Sequence, residues 1–173
     1  LVLSLFHLGT PSGAYRSIFN LGSSWLSREI LTAGGFFVLA AVCWAVYKNP
    51  AKGNALGLIT ALVGLAAVFC MASIYYNSVM PAWMSINTYV VFFGSTFVLG
   101  SLGALAVLAL KFKGSEFSPE IKSAIKKVLV ISIVALAVPL VYTPVFISGL
   151  SGGEAAARLS AQLFTGSYLA QLI

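Results

Sequence analysis

Charged side chains are scarce in this sequence. They make up 8% of its 173 residues, whereas a soluble globular domain carries about 25%. So few charges cannot cover a protein with a water-facing surface, and a soluble globular fold is therefore excluded. With 60% hydrophobic residues and a mean hydropathy of +0.99, the apolar side chains need lipid as their solvent. The length fits one membrane domain, residues 1–173.

Residues that ligate metals and haem are also few. The sequence has one histidine, His7, and two cysteines, Cys43 and Cys70, each in the middle of an apolar run. A bis-histidine haem needs a second histidine, and a zinc or iron-sulfur site needs closely spaced cysteines. We therefore expect neither haem nor metal in this chain. The net charge of +6 does not indicate nucleic acid binding, because the basic residues lie between apolar runs.

Long apolar runs are what the sequence has instead. A helix needs about 20 apolar residues to cross the hydrocarbon layer, and four runs are long enough. The predicted fold is thus all-α, a polytopic transmembrane helix bundle, in which Pro139 and Pro144 would kink the last span. Small-residue pairs such as Gly53 with Gly57 and Gly100 with Ala104 favour close helix packing. The four predicted spans are Ile30–Tyr47, Ala55–Tyr76, Tyr89–Leu110 and Val128–Leu150.

The first and last residues of the sequence are unlike the usual termini of a membrane protein. The chain opens with "LVLSLFH", without Met or a basic segment, and closes with "YLAQLI" in an apolar run. We expect an internal portion of a longer protein, with residues 1–6 ending a preceding helix. Residues 154–173 alternate apolar and polar positions, which predicts a short helix at the membrane interface.

The distribution of basic residues predicts the orientation. Two lysines lie in residues 48–54 and five in residues 111–127, and alternation of the spans places both segments on one face. The opposite face holds only three arginines. Because basic loops stay in the cytoplasm, we predict a multi-pass membrane protein with the lysine-rich segments in the cytoplasm and with His7 and Glu29 on the outer side.

His7 and Glu29 are the candidates for chemistry. His7 stands in "FHLGTP", where Gly9 and Pro11 would end a helix, and Glu29 stands at the start of the next helix with Ser24 or Ser27 as a possible N-cap. Each also has an ordinary interpretation. Glu29 would cap its helix, because a carboxylate near a helix N-terminus is favoured by about 0.3–1 kcal/mol, and His7 would be a polar residue at the headgroup level. Together they flank one connection on one face.

This pair suits quinol oxidation, which releases two protons and two electrons. Histidine titrates near neutral pH and can take one proton, while a carboxylate can hold the second hydroxyl or orient the imidazole. The aromatic residues Phe6, Trp25, Phe36 and Phe37 are candidates to line an apolar slot for the ring and its tail, although aromatics near a membrane boundary are more often interfacial anchors.

Other features of the outer face remain open. The uncharged turn "YYNSVMPAWMSINTY" favours an interfacial aromatic belt combined with a docking surface for a partner. Arg16 and Arg28 are compatible with ordinary loop charges, with pairing to Glu29, or with contact to an acidic partner.

Two stretches, residues 5–30 and 75–93, resemble the membrane-anchor subunit of anaerobic dimethyl sulfoxide reductase. The resemblance extends from the start of the sequence to about Leu110, and beyond it the agreement is mainly in hydropathy and spacing. The matching residues are His7, Leu8, Gly9, Thr10 and Pro11, then Leu26, Ser27, Glu29 and Ile30, and finally Tyr76, Asn77, Ser78, Pro81 and Trp83.

The resemblance implies an eight-helix anchor without haem that oxidises menaquinol. It would hold an iron-sulfur subunit and a molybdopterin catalytic subunit at the membrane, and His7 and Glu29 would be its quinol-site residues. On that basis the residues expected to contact the quinol are His7, Trp25, Ser27, Arg28 and Glu29.

Two other functions compete with quinol oxidation. In the first, the chain is a purely structural tether and quinol binds elsewhere. In the second, it is a small transporter, which would place charged residues deep within the spans. None of the four runs contains one, so transport is the least favoured.

Overall fold

The structure is a computed structural model that describes residues 19–46, 50–112 and 117–167, except the side chains of residues 50–53 and 167. Within these ranges the chain is helical and has no strand, which confirms the all-α prediction. The elements are α1 (Trp25–Val46), α2 (Pro50–Tyr76), α3 (Ile86–Lys111), α4 (Pro119–Ser151) and α5 (Ala155–Gln162), followed by a π-helical turn at Leu163–Ser167.

Four of these helices are long and apolar enough to cross a membrane, as predicted: Trp25–Val46, Asn54–Tyr76, Ile86–Lys111 and Pro119–Ser151. Large hydrophobic side chains on them face outward. Trp44 is 79% exposed, Leu110 76% and Val141 74%. Such an apolar surface favours lipid over water as its surroundings, and the hydrogen bonds within each helix satisfy the backbone groups of its interior there.

The helices begin earlier than hydropathy alone predicts. The first span begins at Trp25 instead of Ile30, and the last begins at Pro119 instead of Val128. At the start of α4 the hydroxyl of Ser118 accepts a hydrogen bond from the Ile121 amide at 3.4 Å, and a proline follows at the first helical position. Hydropathy therefore marks the lipid-immersed part of these helices, while capping serines set the starts of α1 and α4.

The molecule divides into two compact units, Leu1–Ile74 and Tyr75–Ile173. In the described part of the first unit, α1 and α2 pack antiparallel. Trp25 at the start of α1 meets Phe69 late in α2. The Phe36 ring lies against Gly64, where an added Cβ would come within 3.0 Å of it. Glycine at position 64 thus allows the ring to sit between the helices.

In the second unit, α3 and α4 make the closest backbone approach. A Cβ added at Gly94 would lie 2.6 Å from Cγ of Pro139 and 3.1 Å from the Ala135 carbonyl oxygen. Pro139 lacks the N–H that would normally bond that carbonyl. Helix α4 nevertheless continues through Pro139 and Pro144, and small residues at such crossings allow this close packing in lipid.

The predicted C-terminal helix is present as α5 and the π-helical turn, while residues 168–173 lie outside the described ranges. Ala161 is buried, and Phe164 packs on Phe146 of α4 with ring centroids 6.3 Å apart. Leu159 and Leu163 remain mostly exposed. The predicted helix end at residues 1–6 also lies outside the described part of the sequence.

Candidate functional site at the start of α1

The start of α1 is capped by Ser24, one of the two predicted candidates. Its hydroxyl oxygen accepts a hydrogen bond from the Ser27 amide at 3.3 Å, which satisfies one of the free N–H groups at a helix N-terminus. Ser27 lies within the first turn and is only 2% exposed. It is therefore a packed residue of α1 and not its cap.

Arg28 braces the loop that leads into α1. Its Nε donates to the Leu21 carbonyl and one terminal nitrogen donates to the Gly22 carbonyl, both at 2.8 Å. The guanidinium carbon also lies 4.3 Å from the centroid of the Trp25 ring, a cation–π distance. Of the three roles considered for Arg28, the structure supports that of a loop charge with local partners.

Trp25 is held from two sides. Arg28 stacks on its ring, and Phe69 meets it edge to face with centroids 5.9 Å apart and an interplanar angle of 74°. Edge-to-face pairs are favourable because the positive ring edge meets the negative ring face. Trp25 therefore joins the start of α1 to α2 in a fixed orientation.

Glu29 is half-buried and lies in the second turn of α1. The favourable effect of the helix macrodipole falls off within the first turn, so the capping interpretation of this carboxylate is weakened. Glu29 lies four residues after Trp25 and seven before Phe36, which places the three on one helix face. Trp25 and Phe36 both contact α2, so this face of α1 is the one turned toward α2.

An apolar groove continues from Phe36 along the same face. Ala40 and Cys43 follow Phe36 at intervals of four and three residues, and they line the groove with Trp44. The α2 side is formed by Gly57, Thr60 and Ala61. Thr60 donates its hydroxyl proton to the Leu56 carbonyl at 2.8 Å, so its polar group is satisfied within its own helix. The α2-facing side of α1 thus has the Glu29 carboxylate near its start and the apolar groove further along.

Three of the four aromatic residues proposed to line a slot, Trp25, Phe36 and Phe37, lie within the described residues. Phe36 lines the groove, and Trp25 lies on the same face at the other side of Glu29. Phe37 stacks edge to face on Phe36 at 5.6 Å but is 60% exposed and does not line the groove. His7 and Phe6 lie outside the described residues, as does Arg16. The sequence analysis did not predict that Trp25, Glu29 and Phe36 share one face of α1, which we call the α1 stripe. Their spacing of four and seven residues indicates this once the helix is known to begin at Trp25.

The fold and this site define a multi-pass membrane subunit with a carboxylate near one end of an apolar helix pair. The protein belongs to the family described as "DMSO reductase anchor subunit (DmsC)", whose family model matches residues 1–153. No solved structure shows a significant match.

The sequence is also similar to three curated proteins of anaerobic dimethyl sulfoxide reductases. The sequence is 33% identical to the C subunit of anaerobic dimethyl sulfoxide reductase from Haemophilus influenzae over 120 residues, covering 67% of this sequence and 43% of that protein. It is 34% identical to the C subunit from Escherichia coli over 115 residues, covering 63% and 40%. It is also 31% identical to the E. coli anaerobic dimethyl sulfoxide reductase subunit YnfH over 111 residues, covering 62% and 39%. The match thus spans less than half the length of these relatives.

Proposed function

We propose that this protein is part of a membrane anchor that oxidises menaquinol and passes the electrons to an iron-sulfur subunit of a molybdopterin oxidoreductase. The main support for the proposal is the α1 stripe, the shared helix face of Trp25, Glu29 and Phe36. A quinol has a polar ring with two hydroxyl groups and a long apolar tail. The α2-facing side of α1 offers Glu29 for the ring and the groove beyond Phe36 for the tail.

Oxidation of one quinol releases two protons and two electrons, and each of them needs an acceptor. Oxidation of one quinol to quinone breaks two O–H bonds. The imidazole of His7 takes one proton, because an unperturbed histidine side chain can accept a proton near neutral pH. The Glu29 carboxylate holds the second hydroxyl and receives its proton. The two electrons leave to the iron-sulfur subunit and then reach the molybdopterin subunit, where the terminal acceptor is reduced.

The other residues around Glu29 act by positioning. Ser24 and Arg28 hold the start of α1, and Trp25 holds it against Phe69 of α2. This bracing keeps the carboxylate in one orientation, which matters because proton transfer requires hydrogen-bond contact with the reacting hydroxyl. The lysine-rich segments lie in the cytoplasm, so protons released at Glu29 leave on the outer side of the bacterial cytoplasmic membrane.

The Glu29→Gln variant of the full-length subunit, assembled in its complex, tests the proposal. Glutamine keeps the size of the side chain but cannot accept a proton. We expect quinol oxidation to fall by at least about 100-fold, the usual contribution of a general base. Reduction of the acceptor by a soluble viologen dye, which bypasses the anchor, should stay unchanged and shows that the complex is intact.

Glu120→Gln is the matched control. Glu120 lies in the first turn of α4 and is exposed, so its loss should leave quinol oxidation at the wild-type rate. The structural tether remains the alternative, favoured by the local roles of Ser24 and Arg28. Wild-type quinol oxidation in Glu29→Gln, with viologen activity intact, would support the tether and overturn the role of this carboxylate.

A further inference from the structure

The first turns of α4 carry three exposed lysines just before the apolar run that begins at Val128. They are Lys122, Lys126 and Lys127. No carboxylate lies three or four residues from Lys122 or Lys126, which is the spacing at which side chains of one helix meet. Neither of these two lysines has an ion-pair partner among the described residues. Their charges are therefore available to an anion from outside the helix.

A regular stripe of half-buried residues marks the face of α4 that turns toward α3. Its members recur at alternating intervals of four and three residues, the spacing of one helix face. They are Ile121, Ile125, Val128, Ser132, Ala135 and Pro139. The last two lie against Gly94 of α3. The stripe is thus the side that packs on α3, and the lysines lie outside it.

One exposed side of α4 has lysines first and aliphatic residues after them. Lys122 and Lys126 are four residues apart and lie on the same side of the helix. This side continues with Leu129 and Ile133, at the next intervals of three and four residues, and both are exposed. We call the surface formed by these four residues the lysine side of α4. It presents two cations and then an apolar strip along the direction of the span.

The chemistry of the lysine side favours an acidic phospholipid. Like charges four residues apart on a helix repel each other, and an anion bound by both lysines offsets that repulsion. A phosphate group supplies the negative charge and the acceptor oxygens that lysine ammonium groups bind. The apolar strip distinguishes a phospholipid from a soluble phosphate, because only the lipid also has an acyl chain to cover Leu129 and Ile133.

We infer that an acidic phospholipid binds along the lysine side of α4, with its phosphate held by the two lysines and an acyl chain against the two aliphatic residues. Lysine has a long flexible stem, so both ammonium groups can reach a headgroup at the membrane boundary while their stems cover the helix. The lysine side shares no residue with the site proposed on α1, and the inference does not depend on quinol oxidation.

A local fluorescence measurement on the full-length protein in its assembled complex tests the inference. A fluorescent amino acid is introduced genetically in place of Val130, which is exposed next to the lysine side. The complex is placed in phosphatidylcholine vesicles that contain nitroxide-labelled phosphatidylglycerol or, separately, nitroxide-labelled phosphatidylcholine, whose own cation balances its phosphate. Quenching by each lipid gives their relative affinity at this position. We expect phosphatidylglycerol to be favoured by at least about fivefold, the effect of one lysine near an anionic membrane surface.

A matched pair of lysine variants assigns the preference to the lysine side. Lys126→Gln should lower the preference for phosphatidylglycerol by about fivefold, whereas Lys126→Arg should keep it. Lys127→Gln removes the same charge from the next position, which is turned by about 100° around the helix and shares its side with Glu120. It should leave the preference close to that of wild type. The same fluorophore in place of Val141, exposed in the other half of α4, should report no effect of Lys126→Gln.

Three results would overturn the inference. The first is equal affinity of the two lipids at Val130 in wild type, which includes the case of a partner subunit that covers the lysine side. The second is an equal loss of preference in Lys126→Gln and Lys127→Gln, which would assign the preference to net surface charge. The third is loss of the preference on adding inorganic phosphate but not sodium chloride at the same ionic strength, which would make free phosphate the ligand.

Discussion

At the scale of single residues, Gly94 has the tightest surroundings of the glycines in the described ranges. Its Cα faces Pro139 and the Ala135 carbonyl oxygen, and no side chain fits between them. In lipid, the packing of helices rests on such close contacts, because lipid tails are as apolar as the helix surfaces. The identity of this residue therefore sets how closely α3 and α4 approach.

Gly94→Ala is expected to destabilise the full-length protein. The new Cβ would overlap the Pro139 ring, so α3 and α4 must move apart, at a cost of about 1–3 kcal/mol. Thermal unfolding in a fixed detergent measures the change. Gly100→Ala on the same helix is the control, because a Cβ there meets nothing within 4 Å among the described residues. Equal stabilities of the two variants would contradict this account of the contact.

The glycines that make close helix–helix contacts are not those in the small-residue pairs identified from the sequence. Gly57 and Gly100 belong to small-residue pairs, yet a Cβ at either would meet no atom of the described residues within 4 Å. Gly64 and Gly94 make the close contacts instead. Small-residue spacing is frequent in a glycine-rich sequence, and only the position of the facing helix decides which glycine is needed. That information is tertiary, so the spacing alone could not supply it.

At the scale of the helices, hydropathy predicted the four spans because lipid imposes a minimum apolar length. It did not predict the starts of α1 and α4, which depend on side chains outside the lipid. Ser24 and Ser118 set these starts by capping. The shift at α1 changes the functional interpretation, because it moves Glu29 from the first turn to the second and onto the face of Trp25 and Phe36.

At the candidate site, the sequence alone indicated which residue is ionisable but not how its neighbours pack. Glu29 was identified because it is a carboxylate beside an apolar run. The brace of Arg28 on the Leu21 and Gly22 carbonyls was not, since it depends on how the preceding loop folds back. The role predicted for the aromatic turn, an interfacial belt combined with a docking surface, stays a prediction. The structure brings Tyr75 and Trp83 of that segment together edge to face.

At the scale of the whole molecule, the topology is the prediction with the widest consequences. The two ends of α3 should lie on opposite sides of the membrane. We expect Lys122, before the apolar part of α4, on the cytoplasmic side with the other lysines. Val79, in the turn before α3, is 91% exposed and should lie on the outer side.

Cysteine labelling of the full-length protein tests this topology. With Cys43 and Cys70 replaced by alanine, Lys122→Cys should react with a membrane-impermeant maleimide only in inside-out vesicles. Val79→Cys should react only in right-side-out vesicles, because each vesicle type exposes one face. Labelling of both variants in the same vesicle type, or in the reverse pattern, would place Glu29 on the wrong side for the proposed proton release.

The central claim is that His7 and Glu29 act on one quinol as a unit, and a double-mutant cycle tests it most directly. Quinol oxidation is measured in the assembled complex for wild type, His7→Ala, Glu29→Gln and the double variant. Groups that serve one reaction step are strongly non-additive. We therefore predict that the double variant is no slower than the slower single variant, whereas a rate reduced by the product of the two single effects would contradict the claim.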